Sequence, residues 1–116
     1  LGQVLDRHAP AAVINAGGFT LVDKAEAEPD EARALNVDGP RALARACRAR
    51  GIPLIHLSTD CVFDGESARP YRPDDATSPI CIYGQTKLDG ERAVADELDR
   101  RLIVRVSWIF SRFAHA

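Results

Sequence analysis

Tyr83 and Lys87 stand four residues apart in the run Tyr83-Gly84-Gln85-Thr86-Lys87. On a helix that step puts both side chains on one face, a turn apart. A free phenol titrates near pH about 10 and exchanges protons poorly at neutral pH, but an ammonium beside it favours the phenolate. The pair therefore spells a tyrosine general acid or base. The same spacing arises often by chance, with an aromatic on an inner helix face and a lysine in solvent, so the reading needs support from the rest of the chain.

The elements that must position this pair are legible. Ala11 to Ala16 is a short apolar run with a β-branched centre, broken by Gly17-Gly18, and reads as a buried parallel strand. Pro53 to Ser58 is a second such strand and Arg101 to Trp108 a third. Glu26 to Leu35 is acidic and alanine-rich, with Pro29 suited to a first helical turn. Asp38 reads as the N-cap of the next helix, whose inner face carries Leu43, Ala46 and Cys47 and which Gly51 stops. A further helix runs from about Tyr83 to Leu98, burying Leu88, Ala93 or Val94, and Leu98. Strands alternating with helices predict an α/β fold with a parallel sheet, whose ligands bind beyond the carboxyl ends of the strands. Asn15 to Gly18, Ser58-Thr59-Asp60 and Ser107-Trp108 all fall there, so three strand ends and the Tyr83 helix are expected to share one crevice. The stretch from Thr59 to Pro79, with Pro70, Pro73 and Gly65 inside it, is too long for a routine connection and reads as functional.

Composition narrows the partners. The 116 residues are 46% hydrophobic and 28% charged, with a net charge of −2. With a pI near 5.9, this argues against nucleic acid as partner. No apolar run approaches the roughly 18 residues that span a bilayer, so no membrane partner is expected. Cys47, Cys61 and Cys81 are odd in number and lack C-x-x-C spacing, which supports neither a disulfide framework nor a zinc site and makes a reducing, cytoplasmic location the default. No metal ligand set is expected, and Asp64, Asp74 and Asp75 read as turn formers. His56, in an apolar strand, reads as a core histidine, and Asn36 as a buried hydrogen-bonding residue. The chain starts at Leu1, contains no methionine and stops after the third strand, which reads as an internal piece of a longer protein. The G-x-G-x-x-G turn of dinucleotide-binding folds is missing, so a first βα unit is expected upstream of Leu1.

Taken together, Asn15 to Glu26 with Ala34-Leu35-Asn36-Val37, His56 to Gly65 (His-Leu-Ser-Thr-Asp-Cys-Val-Phe-Asp-Gly), Pro70-Tyr71, Tyr83 to Glu91, and Arg105-Val106-Ser107-Trp108-Ile109-Phe110 form an ordered set. This set resembles the dTDP-4-dehydrorhamnose reductases of the extended short-chain dehydrogenase/reductase superfamily. The resemblance covers nearly the whole chain. It implies a partial Rossmann-like doubly wound parallel sheet, a three-layer αβα sandwich, lacking the first βα unit and most of the substrate domain. Residues 1–116 would then be the central part of an NAD(P)-binding domain. It further implies hydride transfer from NADPH or NADH to the C4 ketone of a dTDP-linked 6-deoxyhexulose. By that resemblance Tyr83 protonates the developing alkoxide, Lys87 holds the nicotinamide ribose and lowers the Tyr83 pKa, and Thr59 hydrogen-bonds the substrate oxygen. Ala16, Gly17, Gly18 and Ser58 join Tyr83 and Lys87 against the cofactor, and Thr20, Val22, Asp60, Cys61 and Trp108 line the dTDP-sugar pocket. A homodimer, and a Mg2+ held by the C-terminal region beyond this chain, are left open.

Two positions depart from the family pattern. Cys61 stands where a tyrosine is usual, and Phe19 where a tyrosine is common. Trp108 reads equally well as core. A non-catalytic regulatory subunit, like the methionine adenosyltransferase β subunit, shares the Tyr-Gly-x-Thr-Lys run and is the second reading. An epimerase or 4,6-dehydratase is a weaker third, because a dehydratase needs a glutamate where Cys61 stands.

Overall fold

The computed structural model describes residues 1–109, so Phe110, the last residue of the Arg105–Phe110 run, lies outside the described residues. The elements run α1 (Gly2–His8), β1 (Val13–Asn15), α2 (Val22–Ala27), α3 (Pro29–Arg33), a π-helical turn (Ala34–Asp38), α4 (Gly39–Arg48), β2 (Leu54–Thr59), α5 (Ile82–Glu97) and β3 (Arg101–Val106). The three strands form one parallel sheet in the order β1-β2-β3, with Asn15 opposite His56 and Thr59 opposite Val106. The expected α/β alternation and parallel sheet are present.

Side-chain alternation sends Leu54, His56 and Ser58 toward the helices, where all three are buried. Leu54 meets Leu5, Ala44, Cys47, Val94 and Leu98 in one cluster, which holds α1, α4 and α5 on that face. The opposite face leaves Ile14 and Leu102 exposed. A second cluster joins Phe19, Ala25 and Ala32 to Ile82 and Tyr83, and a third joins Val62, Phe63 and Leu88 to Tyr71. α5 contributes to all three, so it is the central helix of this segment. Leu88, Ala93, Val94 and Leu98 are buried as expected.

One boundary differs from the sequence reading. Asp38 caps nothing: its backbone is helical and its side chain makes no capping bond. The chain passes from α3 into α4 through the π-helical turn, with Pro29 at the start of α3 and Pro40 at the start of α4. The wider turn swings Asn36 inward, where it is 1% exposed. An amide that can reach three partners inside the core outweighs the local preference of aspartate for a cap. Gly51 does end its turn, in the left-handed conformation at φ 66°.

Candidate active site

β2 ends on Ser58 and Thr59, and the next three residues, Asp60 to Val62, form a short 3-10 turn. The Thr59 hydroxyl accepts the Cys61 N–H at 3.1 Å and donates to Asp60 Oδ1 at 3.3 Å, which folds that turn back over the strand end. α5 begins just opposite. Cys81 is its N-cap, with the thiol accepting the Gly84 N–H at 3.3 Å, and Glu26 accepts the Ile82 N–H at 2.7 Å. Gly84 lets the helix start lie against the turn: a Cβ there would fall 2.2 Å from the Cys61 carbonyl oxygen. The sequence reading assigned Cys81 no role. A thiol is too unusual a cap to be recognised from residue type.

Tyr83 and Thr59 come together at this junction, near enough for the threonine side chain to act on the phenol. Burial pushes the Tyr83 phenol above its ordinary value, and the Thr59 contact offsets this in part. Burial, rather than the charge of Lys87, sets this net upward direction. Lys87 is 6% exposed, and its Nζ donates to the Leu57 carbonyl at 2.7 Å. Burial also pushes the lysine down, against the pull of Glu91. An ammonium spending its charge on a strand carbonyl has less to lend a neighbouring phenol.

Asn36 ties the loop after β1 to this helix. Its Oδ1 accepts the Phe19 N–H at 2.8 Å, and its Nδ2 donates to the Phe19 carbonyl at 3.2 Å and to Thr86 Oγ1 at 3.1 Å. The expected buried hydrogen-bonding role of Asn36 therefore holds. Gly18 lies beside it, where a Cβ would fall 2.7 Å from Asn36 Oδ1 and 3.8 Å from Lys87 Nζ. His56 is fully buried: Asn15 Nδ2 donates to its Nδ1 at 3.0 Å, while Nε2 has no partner among the described residues. Burial first, then the Lys87 charge, lowers the His56 pKa to about 4. It is a core histidine, as read, and neutral.

The residues expected to line a sugar-nucleotide pocket are more loosely placed. Asp60 is exposed and Cys61 half-buried beside Tyr83, and Thr20, Val22 at the start of α2, and Trp108 are all exposed. Trp108 is 94% exposed with its backbone in the left-handed region at φ 46°, so it is not core among the described residues. Ala16, Gly17 and Gly18 are exposed along the crevice rim.

The residues present fit a nicotinamide cofactor. Lys87 keeps two of its three donors unspent among the described residues, and the buried Ser58 Oγ at the end of β2 has no partner. Gly17 has open room, with only Asn15 Oδ1 within 3.6 Å of a Cβ there.

A parallel sheet flanked by helices, with a polar cluster of a tyrosine, a lysine and a threonine at its carboxyl edge, is the architecture of a nucleotide-binding α/β fold. Residues 1–115 match the family described as RmlD substrate binding domain, and the chain belongs to that family. A dTDP-4-dehydrorhamnose reductase of Streptomyces griseus is 53% identical over 104 residues, 89% of this chain and 34% of that protein. One from Sinorhizobium fredii is 50% identical over 105 residues, 90% of this chain and 36% of that protein. The chain thus spans about a third of the length of the curated relatives it matches. The solved dTDP-4-dehydrorhamnose reductase of Bacillus anthracis, in complex with NADP, superposes with a TM-score of 0.94 at 35% identity, covering 98% of this chain and 41% of that one. The Rossmann-like expectation for the fold holds. No described helix is long and apolar enough to cross a membrane.

Proposed function

We propose that the protein carrying this chain is a cytoplasmic reductase that converts dTDP-4-dehydro-L-rhamnose to dTDP-L-rhamnose. The observation that supports this best is the placement of a half-buried phenol, Tyr83, beside Thr59 at the end of β2 and on the same helix face as the buried Lys87. A bound NADPH or NADH supplies the hydride. Hydride arriving at a ketone carbon builds negative charge on its oxygen, and a placed O–H donor stabilises that charge as it forms. Tyr83 Oη then gives its proton to the C4 oxygen, while the Thr59 hydroxyl holds that oxygen in place. A phenol that stays protonated is the form this step needs. The two unspent donors of Lys87 hold ribose hydroxyls, Ser58 Oγ adds a contact, and Ala16, Gly17 and Gly18 let the chain approach the cofactor closely.

The test is NADPH consumption by the full-length protein with dTDP-4-dehydro-L-rhamnose, repeated with NADH. Tyr83→Phe removes one hydroxyl and should lower kcat by about 10²–10⁴-fold with the melting temperature unchanged. Substantial activity in Tyr83→Phe would remove Tyr83 from the role of acid.

A further inference from the structure

We propose that Arg105 is a positioning residue of this site, the anchor that holds the 60–79 loop and the end of β3 in register with the Tyr83 helix. The proposal rests on the reductase reading for its kinetic consequence, but its geometry stands apart from it. Arg105 lies on β3, three residues before Trp108. Its Nε and Nη2 fork onto both carboxylate oxygens of Glu91 at 2.9 and 2.7 Å. Glu91 is 6% exposed on its side chain and sits one helical turn past Lys87 on α5. The remaining arm, Nη1, donates to the Pro73 carbonyl at 3.1 Å, and the guanidinium lies 5.1 Å from the centre of the Phe63 ring.

The loop that Arg105 grips is already closed on itself. Ser78 N–H donates to the Val62 carbonyl at 2.9 Å, and Phe63 stacks on Tyr71 with ring centres 4.2 Å apart. Tyr71 Oη donates to Asp64 at 2.5 Å, and Arg69 forks onto Asp75 at 2.8 and 2.9 Å. Such a self-tied loop moves as a unit, so where it sits depends on what fastens it to the body. Asp60 and Cys61 are at its root, immediately before Val62 and Phe63. A shift of the loop strains the turn that presents those two residues, which Thr59 Oγ1 and Gly84 hold from the other side. One guanidinium joins the three parts that carry site residues: the loop root, the catalytic helix and the strand end that delivers Trp108.

Planarity is what the arrangement uses. A lysine at position 105 keeps a charge for Glu91 but cannot fork onto it, reach the Pro73 carbonyl and cover Phe63 at once. Displacement of about 1 Å at a site residue is enough to lower a rate by about 10²-fold.

The experiment compares wild type and Arg105→Lys in the full-length protein by steady-state kinetics, NADPH binding and amide hydrogen exchange. The expected result is a kcat lower by about 10–10²-fold, with NADPH affinity held within about twofold and faster exchange confined to residues 62–79. A kcat within about twofold of wild type overturns the proposal, as does a parallel fall of kcat, NADPH affinity and folded fraction, which marks a purely structural role. If the wild type shows no reductase turnover, the functional reading fails and exchange alone decides the anchor. Faster exchange at 62–79 with β2 unchanged then upholds it, and unchanged exchange at 62–79 overturns it.

Discussion

Toward Lys87, the Tyr83 helix packs on Asn36, an amide 1% exposed with three hydrogen bonds, while toward Trp108 the chain reaches a side chain 94% exposed. The first side is made of backbone approaches. Gly90 sits so close to Asn36 that a Cβ would fall 2.0 Å from its carbonyl oxygen, and Gly18 faces the amide and the lysine ammonium. The second side has one such approach, Gly84 against the Cys61 carbonyl, but presents side chains, Asp60, Cys61 and Trp108, that are half-buried or exposed. An acid/base pair needs fixed geometry whichever substrate is used, and backbone contacts supply it because backbone cannot change rotamer. Side chains on an exposed rim can be exchanged without moving the backbone, and Cys61 is such a position.

The sharpest way to break this contrast is to add one methyl on each side. Gly90→Ala should destabilise the protein by about 1–3 kcal/mol, since the colliding atom is backbone and helix and turn must part. Gly17→Ala meets only Asn15 Oδ1 at 3.6 Å and should shift stability by no more than about 0.5 kcal/mol. Denaturant unfolding of the two variants measures the difference. Equal effects would show that the Asn36 side is as pliant as the rim.

A comparable change in stability should appear with pH through His56, which lies under the lysine side. The folded imidazole stays neutral down to about pH 4, whereas the unfolded one protonates near 6.5. The unfolded state therefore gains protons first as pH falls. Stability is full above about pH 6.5, declines to about pH 4 and is level below, by a total of about 3 kcal/mol. Unfolding free energies across that range should show this slope, and His56→Gln should flatten it whatever its overall stability. An unchanged slope would assign the acid sensitivity to other groups.

The sequence carried the frame and the chemical pair further than it carried their neighbours. Three apolar runs sufficed for the strands because parallel strands are buried and read as unbroken hydrophobic stretches. Tyr83, Lys87 and Thr59 stood out because their types and spacing suggest a reaction, and the fold sets Tyr83 and Lys87 on α5 and Thr59 at the end of β2. The π-helical turn was not, since its cause is Asn36 bonding to Phe19, seventeen residues away, and to Thr86, fifty residues away. Local propensity saw only an aspartate before Gly-Pro. The Glu91–Arg105 fork was equally hidden: both residues look like ordinary surface charges until β3 brings them to 2.7 Å. The direction of the Tyr83 shift was hidden for a related reason. Spacing places a lysine near a phenol, but only the fold shows that the lysine bonds to Leu57 and that both groups are buried.

The smallest effect is expected at Cys61. Its backbone is held from both sides, the N–H donating to Thr59 Oγ1 at 3.1 Å and the carbonyl lying against Gly84. Its thiol is half-buried, with Asp60 Oδ1 at 3.9 Å as its polar neighbour. Exchanging the side chain therefore leaves the turn in place and alters only what the rim offers a substrate. Cys61→Tyr in the full-length protein should change the dTDP-sugar KM by a few-fold, about 1 kcal/mol of binding, with kcat and NADPH affinity unmoved. Steady-state kinetics with both substrates varied reads each quantity separately. A tenfold change in kcat would mean that position 61 reaches the proton-transfer step through Thr59, and the two sides of Tyr83 would then be one machine rather than two.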